Sequence, residues 1–236
     1  MESLPKKLSP NPLISAGVEI RFKDDILNKP ESKIFLSDLE LKENTKIKKE
    51  VLNEKTEEEI SVFETEDYFL LIGKNIVSFE IKGEYKLWED FFSFIKNNLS
   101  LLSFLFVEEP VIRVGVRFIS VFKANEDFNR VANIDLSFVK PDTIIEETNI
   151  QTTLYRSESK LTMKLLFNNI SRITVQGKVN EGEKVNFFDI DAYKNYSTNF
   201  DLEKVISDID MLHIIQKKEF FNLIKPDYLK NLNPEY

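Results

Sequence analysis

The chain has 236 residues, 42% of them hydrophobic, with 32 basic and 40 acidic side chains and a net charge of −8. With ~150 residues per domain as the prior, that length suits one large domain or two small ones, and the acidic balance argues against a nucleic-acid binder held by a broad basic surface. The absence of cysteine removes disulfides, thiolate metal sites and cysteine nucleophiles, the single histidine removes any multi-histidine site, and 6 glycines, where usage of roughly 7% gives about 16, leave little for phosphate-cradling loops.

Residues 1–12 carry Pro5, Pro10 and Pro12 and read as an irregular arm. They contain no apolar core of signal-peptide length, so a cytoplasmic location is expected. Residues 13–23 alternate, with Val18, Ile20 and Phe22 on one face and Gly17, Glu19 and Arg21 on the other, the pattern of a half-buried strand. Residues 30–43 hold at most a short helix or turn near 37–41, residues 46–53 a polar strand and 57–59 a charged turn. Residues 60–72 read as one strand that turns at Gly73-Lys74-Asn75 into a second, 76–81, forming a hairpin. Residues 85–104 form the first long helix, apolar on two sides and therefore expected to be buried, with Trp88, Phe91, Phe92 and Ile95 as its core stripe. The uncharged run 97–107 has 11 residues, well short of the about 20 a membrane span needs. Glu108-Glu109-Pro110 stops the helix.

A second series follows. Residues 111–123 alternate like the first strand, with Val114, Val116 and Phe118 opposite Arg113, Gly115 and Arg117. Residues 124–148 are loop-like around a short strand at 134–139. Residues 150–167 read as one long strand that turns at Asn168-Asn169 into a returning strand, 171–179. A further turn at 180–182 precedes a strand at 184–193. Residues 202–224 form the second long helix, with Asp201 as N-cap and Pro226 beyond its end.

The fold class is therefore α+β, a mostly antiparallel sheet with two long helices. The repeated order of elements, with Val18-Glu19-Ile20-Arg21-Phe22 answered by Val114-Gly115-Val116-Arg117-Phe118, points to an internal pseudo-twofold duplication. The arm 1–12 is followed by a first α+β half, 13–109, and a second, 110–236, expected to adjoin through their sheets in one compact unit.

Four segments resemble a sporadically distributed, uncharacterised prokaryotic family. They are Pro12-Leu13 with Glu19-Ile20-Arg21-Phe22, then Arg113-Val114-Gly115-Val116-Arg117-Phe118-Ile119, then Phe188-Asp189-Ile190-Asp191-Ala192-Tyr193, and a closing helix with His213, Phe220 and Ile224. Val116, Phe118 and Ser120 stand where the family pattern has Leu, Tyr and Asn, which removes two polar groups. The resemblance carries no activity. It implies a place among prokaryotic defence or toxin–antitoxin systems.

Alternation sends Glu19, Arg21, Arg113, Arg117, Asp189 and Asp191 away from their apolar neighbours. Three readings of these charges stand side by side: a solvated face crossed by ion pairs of ~0–1 kcal/mol each, a partly buried structural network, and an arginine-lined pocket for a phosphate- or carboxylate-bearing ligand. Asp189 and Asp191, two apart on a strand, point the same way, the geometry in which two carboxylates could share a hard cation such as Mg²⁺. Asp208 and Asp210, two apart on a helix, diverge by about 200°. His213 falls on the apolar stripe of its helix with Leu202, Ile206 and Ile209, the position of a core histidine, and no G-x-S-x-G elbow exists for it to serve. In Glu19-x-Arg21-x-Lys23, arginine replaces the middle metal-binding carboxylate of the E-x-E-x-K strand of triphosphate-tunnel enzymes, so that chemistry is not expected. Most of the 20 phenylalanines sit at core spacing.

The expected function is a soluble interaction module accessory to a prokaryotic defence or toxin–antitoxin system. The alternative is an enzyme or receptor for a small anion, with Glu19, Arg21, Arg113, Arg117, Asp189 and Asp191 as its ligand-binding residues. No cofactor, metal site or catalytic residue is expected. The expected partner is a protein, a homodimer included, rather than a membrane or a nucleic acid.

Overall fold

A computed structural model describes residues 4–28, 60–123, 131–133, 148–156, 159–170 and 184–236. Eight strands form one antiparallel sheet: β1 (Leu13–Phe22), β2 (Ser61–Glu64), β3 (Tyr68–Gly73), β4 (Ile76–Ile81), β5 (Pro110–Lys123), β6 (Thr148–Arg156), β7 (Ser159–Ile170) and β8 (Lys184–Asn199), in the order β2-β3-β4-β1-β5-β8-β7-β6. Helix α1 (Trp88–Leu102) follows β4, α2 (Leu202–Leu223) follows β8, and the short α3 (Pro226–Lys230) closes the chain. Each chain half thus runs its four strands in one order, β1-β4-β3-β2 and β5-β8-β7-β6, with a long helix after the fourth. Among the described residues no helix is long and apolar enough to cross a membrane.

Residues cluster into two compact units, each drawing on both chain halves. One, here the α1 unit, comprises Gly17–Val116 and Tyr193–Leu212; the other, the terminal unit, comprises Met1–Ala16, Arg117–Ala192 and His213–Tyr236.

In the α1 unit the alternation of β1 holds: Val18, Ile20 and Phe22 are fully buried, whereas Arg21 is exposed. β1 pairs with β4 from Gly17↔Glu80 to Arg21↔Ile76, and β3 with β4 from Tyr68↔Ile81 to Gly73↔Ile76. The sequence read residues 60–72 as one strand; the structure folds it into β2 and β3. The cause is local. Thr65 Oγ1 accepts the Tyr68 amide at 3.0 Å, while the Thr65 amide donates to the Tyr68 carbonyl at 2.9 Å, closing a tight reversal without glycine or proline. Helix α1 starts three residues later than read. It buries Trp88, Phe91, Ile95, Leu99 and Leu102, and its acidic first turn, Glu89 and Asp90, suits the positive end of the helix dipole. Tyr68 stacks on Phe91 and Phe94 at 5.4 and 4.7 Å between centroids.

The expectation of a helix buried on most sides is corrected. Ser93, Lys96, Asn97 and Ser100 face water, Phe92 is only half-buried, and Leu101, Phe104 and Val107 are 66%, 48% and 57% exposed. The stripe at i, i+3, i+4 and i+7 was wide enough to include Phe92, but one sheet face covers a narrower arc than that.

In the terminal unit β6 and β7 pair from Thr148↔Phe167 to Arg156↔Ser159. The reading of 150–167 as one strand with a turn at Asn168-Asn169 is therefore corrected: both asparagines lie within β7. Folding back sets Ile150 opposite Leu165 and Leu154 opposite Leu161, and lets the Thr153 and Thr162 hydroxyls meet at 3.2 Å. A single extended strand offers none of these cross-strand pairs. The N-terminal arm is tied down. The Lys6 amide donates to the Glu235 carbonyl at 2.6 Å, the Ser9 amide to Leu232 at 2.6 Å and the Glu235 amide to Lys7 at 3.0 Å. Phe122 packs on Phe188 and Tyr228.

Helix α2 ends within a residue of its expected limits, and the Lys204 amide donates to Asp201 Oδ1 at 3.0 Å, the anticipated cap. β8 runs six residues beyond its expected end. The readings at 37–41, 46–53, 57–59, 134–139, 171–179 and 180–182 lie outside the described residues.

Candidate functional site

The six charged residues singled out in the sequence form two groups, one in each unit. In the α1 unit Glu19 is the hub. Arg21, two residues on along β1, grips it with both Nε (2.7 Å to Oε1) and Nη2 (3.1 Å to Oε2), and Arg113 on β5 donates from Nη1 to Oε1 at 2.5 Å. The Arg113 guanidinium also lies over the Tyr193 ring, 4.7 Å from its centroid, a cation–π contact. Gly115 makes room for it. A Cβ at that position would meet Arg113 Nη1 at 2.8 Å, so the bare glycine lets the guanidinium lie flat along its own strand. The arginine is thereby fixed on three sides, by a carboxylate, an aromatic face and the strand beneath it. Its side chain is 22% exposed, against 51% for Arg21.

In the terminal unit Arg117 on β5 makes a two-pronged contact with Asp189 on β8, Nε to Oδ1 at 2.8 Å and Nη2 to Oδ2 at 2.6 Å. The geometry matches fork to fork, the strong form of this pair. The partners are unequally placed: the Arg117 side chain is 56% exposed and that of Asp189 only 11%. Asp191, two residues on, shares the strand face of Asp189 by alternation and is half-buried. Among the described residues no group of three or more His, Asp or Glu side chains is arranged to hold a metal ion.

His213 lies in the terminal unit, buried, with its ring 5.8 Å from that of Phe118. Burial, assisted by the nearby Lys217 cation, pushes its pKa down to about 3. The ring is neutral throughout the physiological range, and so weak a base is poorly matched to accepting protons near neutrality.

Two polar constellations escaped the sequence reading. In the α1 unit the polar end of β8 turns Lys194 and Tyr196 toward α2. There the Tyr196 hydroxyl donates to Asp208 Oδ2, and Lys194 Nζ lies 3.4 Å from Asp208 Oδ1. Asp210, on another side of α2, accepts the Trp88 indole N–H at 2.9 Å. The two carboxylates thus take different partners, as their divergence on a helix requires. The only forewarning of the first constellation was the alternation Lys194-Asn195-Tyr196, which continues the strand with polar residues on the inward positions. Nothing local announced the second, whose partners lie 122 residues apart.

A scan against family models and searches of curated proteins and of solved structures find no match to this chain.

Proposed function

We propose that the chain is a non-enzymatic interaction module built by internal duplication. One observation carries this reading: the arginines that would receive an anionic ligand are already engaged by the chain's own carboxylates. The Nε–Nη2 edge of Arg117 rests on Asp189, and Arg113 is held by Glu19 and Tyr193. An anion approaching the Nε–Nη2 edge of Arg117 or Nη1 of Arg113 meets a carboxylate already seated there at hydrogen-bond distance, and at those donors the gain is the difference between two similar charge-assisted contacts. The common strand order of the two halves supports the duplication. The family resemblance adds the setting, a cytoplasmic accessory role in a prokaryotic defence or toxin–antitoxin system.

A thermal-shift titration with inorganic phosphate, a nucleoside triphosphate and a dicarboxylate tests the reading. The expected result is an unchanged melting temperature. A ligand at 100 times its Kd adds ~2.7 kcal/mol to stability. A clear upward shift that is lost in Arg113→Ala or Arg117→Ala overturns the proposal in favour of an anion receptor.

A further inference from the structure

The two edge strands of the sheet are built differently. β2 has four residues and ends on Glu64, which is ion-paired with Lys82. Short and charged, it has the features that protect an edge. β6 has nine residues, TNIQTTLYR, with no proline, glycine or lysine and no charge before Arg156. It pairs with β7 along its whole length, and among the described residues no strand lies on its other side.

Burial falls off across this hairpin. On one face Leu161, Met163 and Leu165 of β7 are buried, while their partners on β6, Leu154, Thr152 and Ile150, are only half-buried. Apolar side chains half in water, beside a row of outward backbone donors and acceptors, make a template for strand addition.

We propose that β6 pairs antiparallel with β6 of a second copy of this chain, about a twofold axis at Thr152. The strand's own sequence selects this occupant. In that register Ile150 meets Leu154 of the other copy on the half-buried face, and Thr152 meets itself. On the exposed face Gln151 meets Thr153. The single charge, Arg156, falls opposite Thr148, so no like charges oppose each other across the axis. Each pair joins residues of equal parity, so backbone groups that point outward on one copy meet outward-pointing groups on the other. The mating completes the burial of Ile150 and Leu154 without turning any polar residue of the exposed face inward.

This inference rests on the interaction-module reading in that it names the chain itself as one partner. Sedimentation velocity on the full chain, over a range of concentrations, tests it. Gln151 and Thr153 are both exposed, so the double variant Gln151→Lys, Thr153→Lys spares the packed face while setting like charges across the axis. The double variant Gln151→Glu, Thr153→Glu does the same with the opposite sign. The wild type is expected to be a dimer, each variant alone a monomer with wild-type circular dichroism, and an equimolar mixture of the two a dimer again. A monomeric wild type, a dimer that survives in both variants, or a mixture that stays monomeric overturns the proposal. Hydrogen exchange on the wild type decides the matter if the variants fail to fold. Half of the β6 amides should gain protection as concentration rises; protection independent of concentration means no second copy sits there. A monomeric wild type leaves the interaction-module reading to its own anion titration.

Discussion

The histidine in α2 yields a quantitative expectation. In the folded chain burial and Lys217 hold the His213 pKa at about 3; in the unfolded chain it returns to an ordinary value near 6.5. Between those two values the unfolded state binds a proton that the native state does not. The contribution of this residue is therefore constant above pH ~6.5 and is lost as pH falls below it, at ~1.36 kcal/mol per pH unit. Between pH 7.5 and 5.0 the loss comes to about 2 kcal/mol, and it is insensitive to the native pKa because both conditions lie well above that value. His213→Gln removes the titrating group and leaves every carboxylate in place. Urea unfolding followed by the fluorescence of Trp88, the sole tryptophan, at both pH values measures the stability gap between wild type and variant. Whatever the variant costs at pH 7.5, that gap should move in the variant's favour by about 2 kcal/mol at pH 5.0. A gap unchanged to within about 0.5 kcal/mol, together with a His213 ring resonance that titrates near 6.5, would refute the burial argument.

The remaining expectations concern packing and ion pairs. Because Asp189 is far more buried than Arg117, Arg117→Ala strands a desolvated carboxylate and should cost ~1.5–3 kcal/mol. Asp189→Ala frees a half-exposed guanidinium to reach water and should cost under about 1.5 kcal/mol; equal costs in denaturant unfolding would contradict this asymmetry. Phe91→Ala, at a fully buried position of α1, should cost ~3–5 kcal/mol, and Phe92→Ala at a half-buried one clearly less, about 1–2 kcal/mol. The order reverses only if Phe92, not Phe91, fills the core.

What could be read in advance was whatever is enforced within a few residues. The Asp201 cap and the Pro226 stop bracket α2 from both ends. The alternation of Val18, Ile20 and Phe22 settles which face of β1 is buried, and parity alone sends Glu19, Arg21, Arg113 and Arg117 away from it. Reversals lacking glycine, proline or an Asn-Gly pair were missed. A threonine hydroxyl closes the bend at Thr65, and Arg156 meets Ser159 in a polar stretch that composition does not distinguish from strand. Partner choice was equally out of reach. Alternation tells that Arg113 and Arg117 are turned outward. It does not tell that a bare glycine lays one of them along its own strand onto Tyr193, or that the other clasps Asp189. Tyr196 and Lys194 belong to a strand end with no apolar pattern, so alternation hinted at their inward side but not at Asp208 as their partner.

That meeting has a consequence for how the chain finds one structure among near neighbours. Through Ala192, β8 is anchored by apolar residues, and sliding it by one position would expose them. Beyond Tyr193 that penalty vanishes, because Lys194-Asn195-Tyr196-Ser197 reads almost the same on either face. Asp208 supplies the missing asymmetry. It is reached by both inward residues, one through a hydroxyl and one through an ammonium, and a one-residue slip turns both away while bringing Asn195 and Ser197 in. The buried carboxylate acts as a key: the observed alignment gives it an ammonium and a phenol, whereas a one-residue slip offers it no cation.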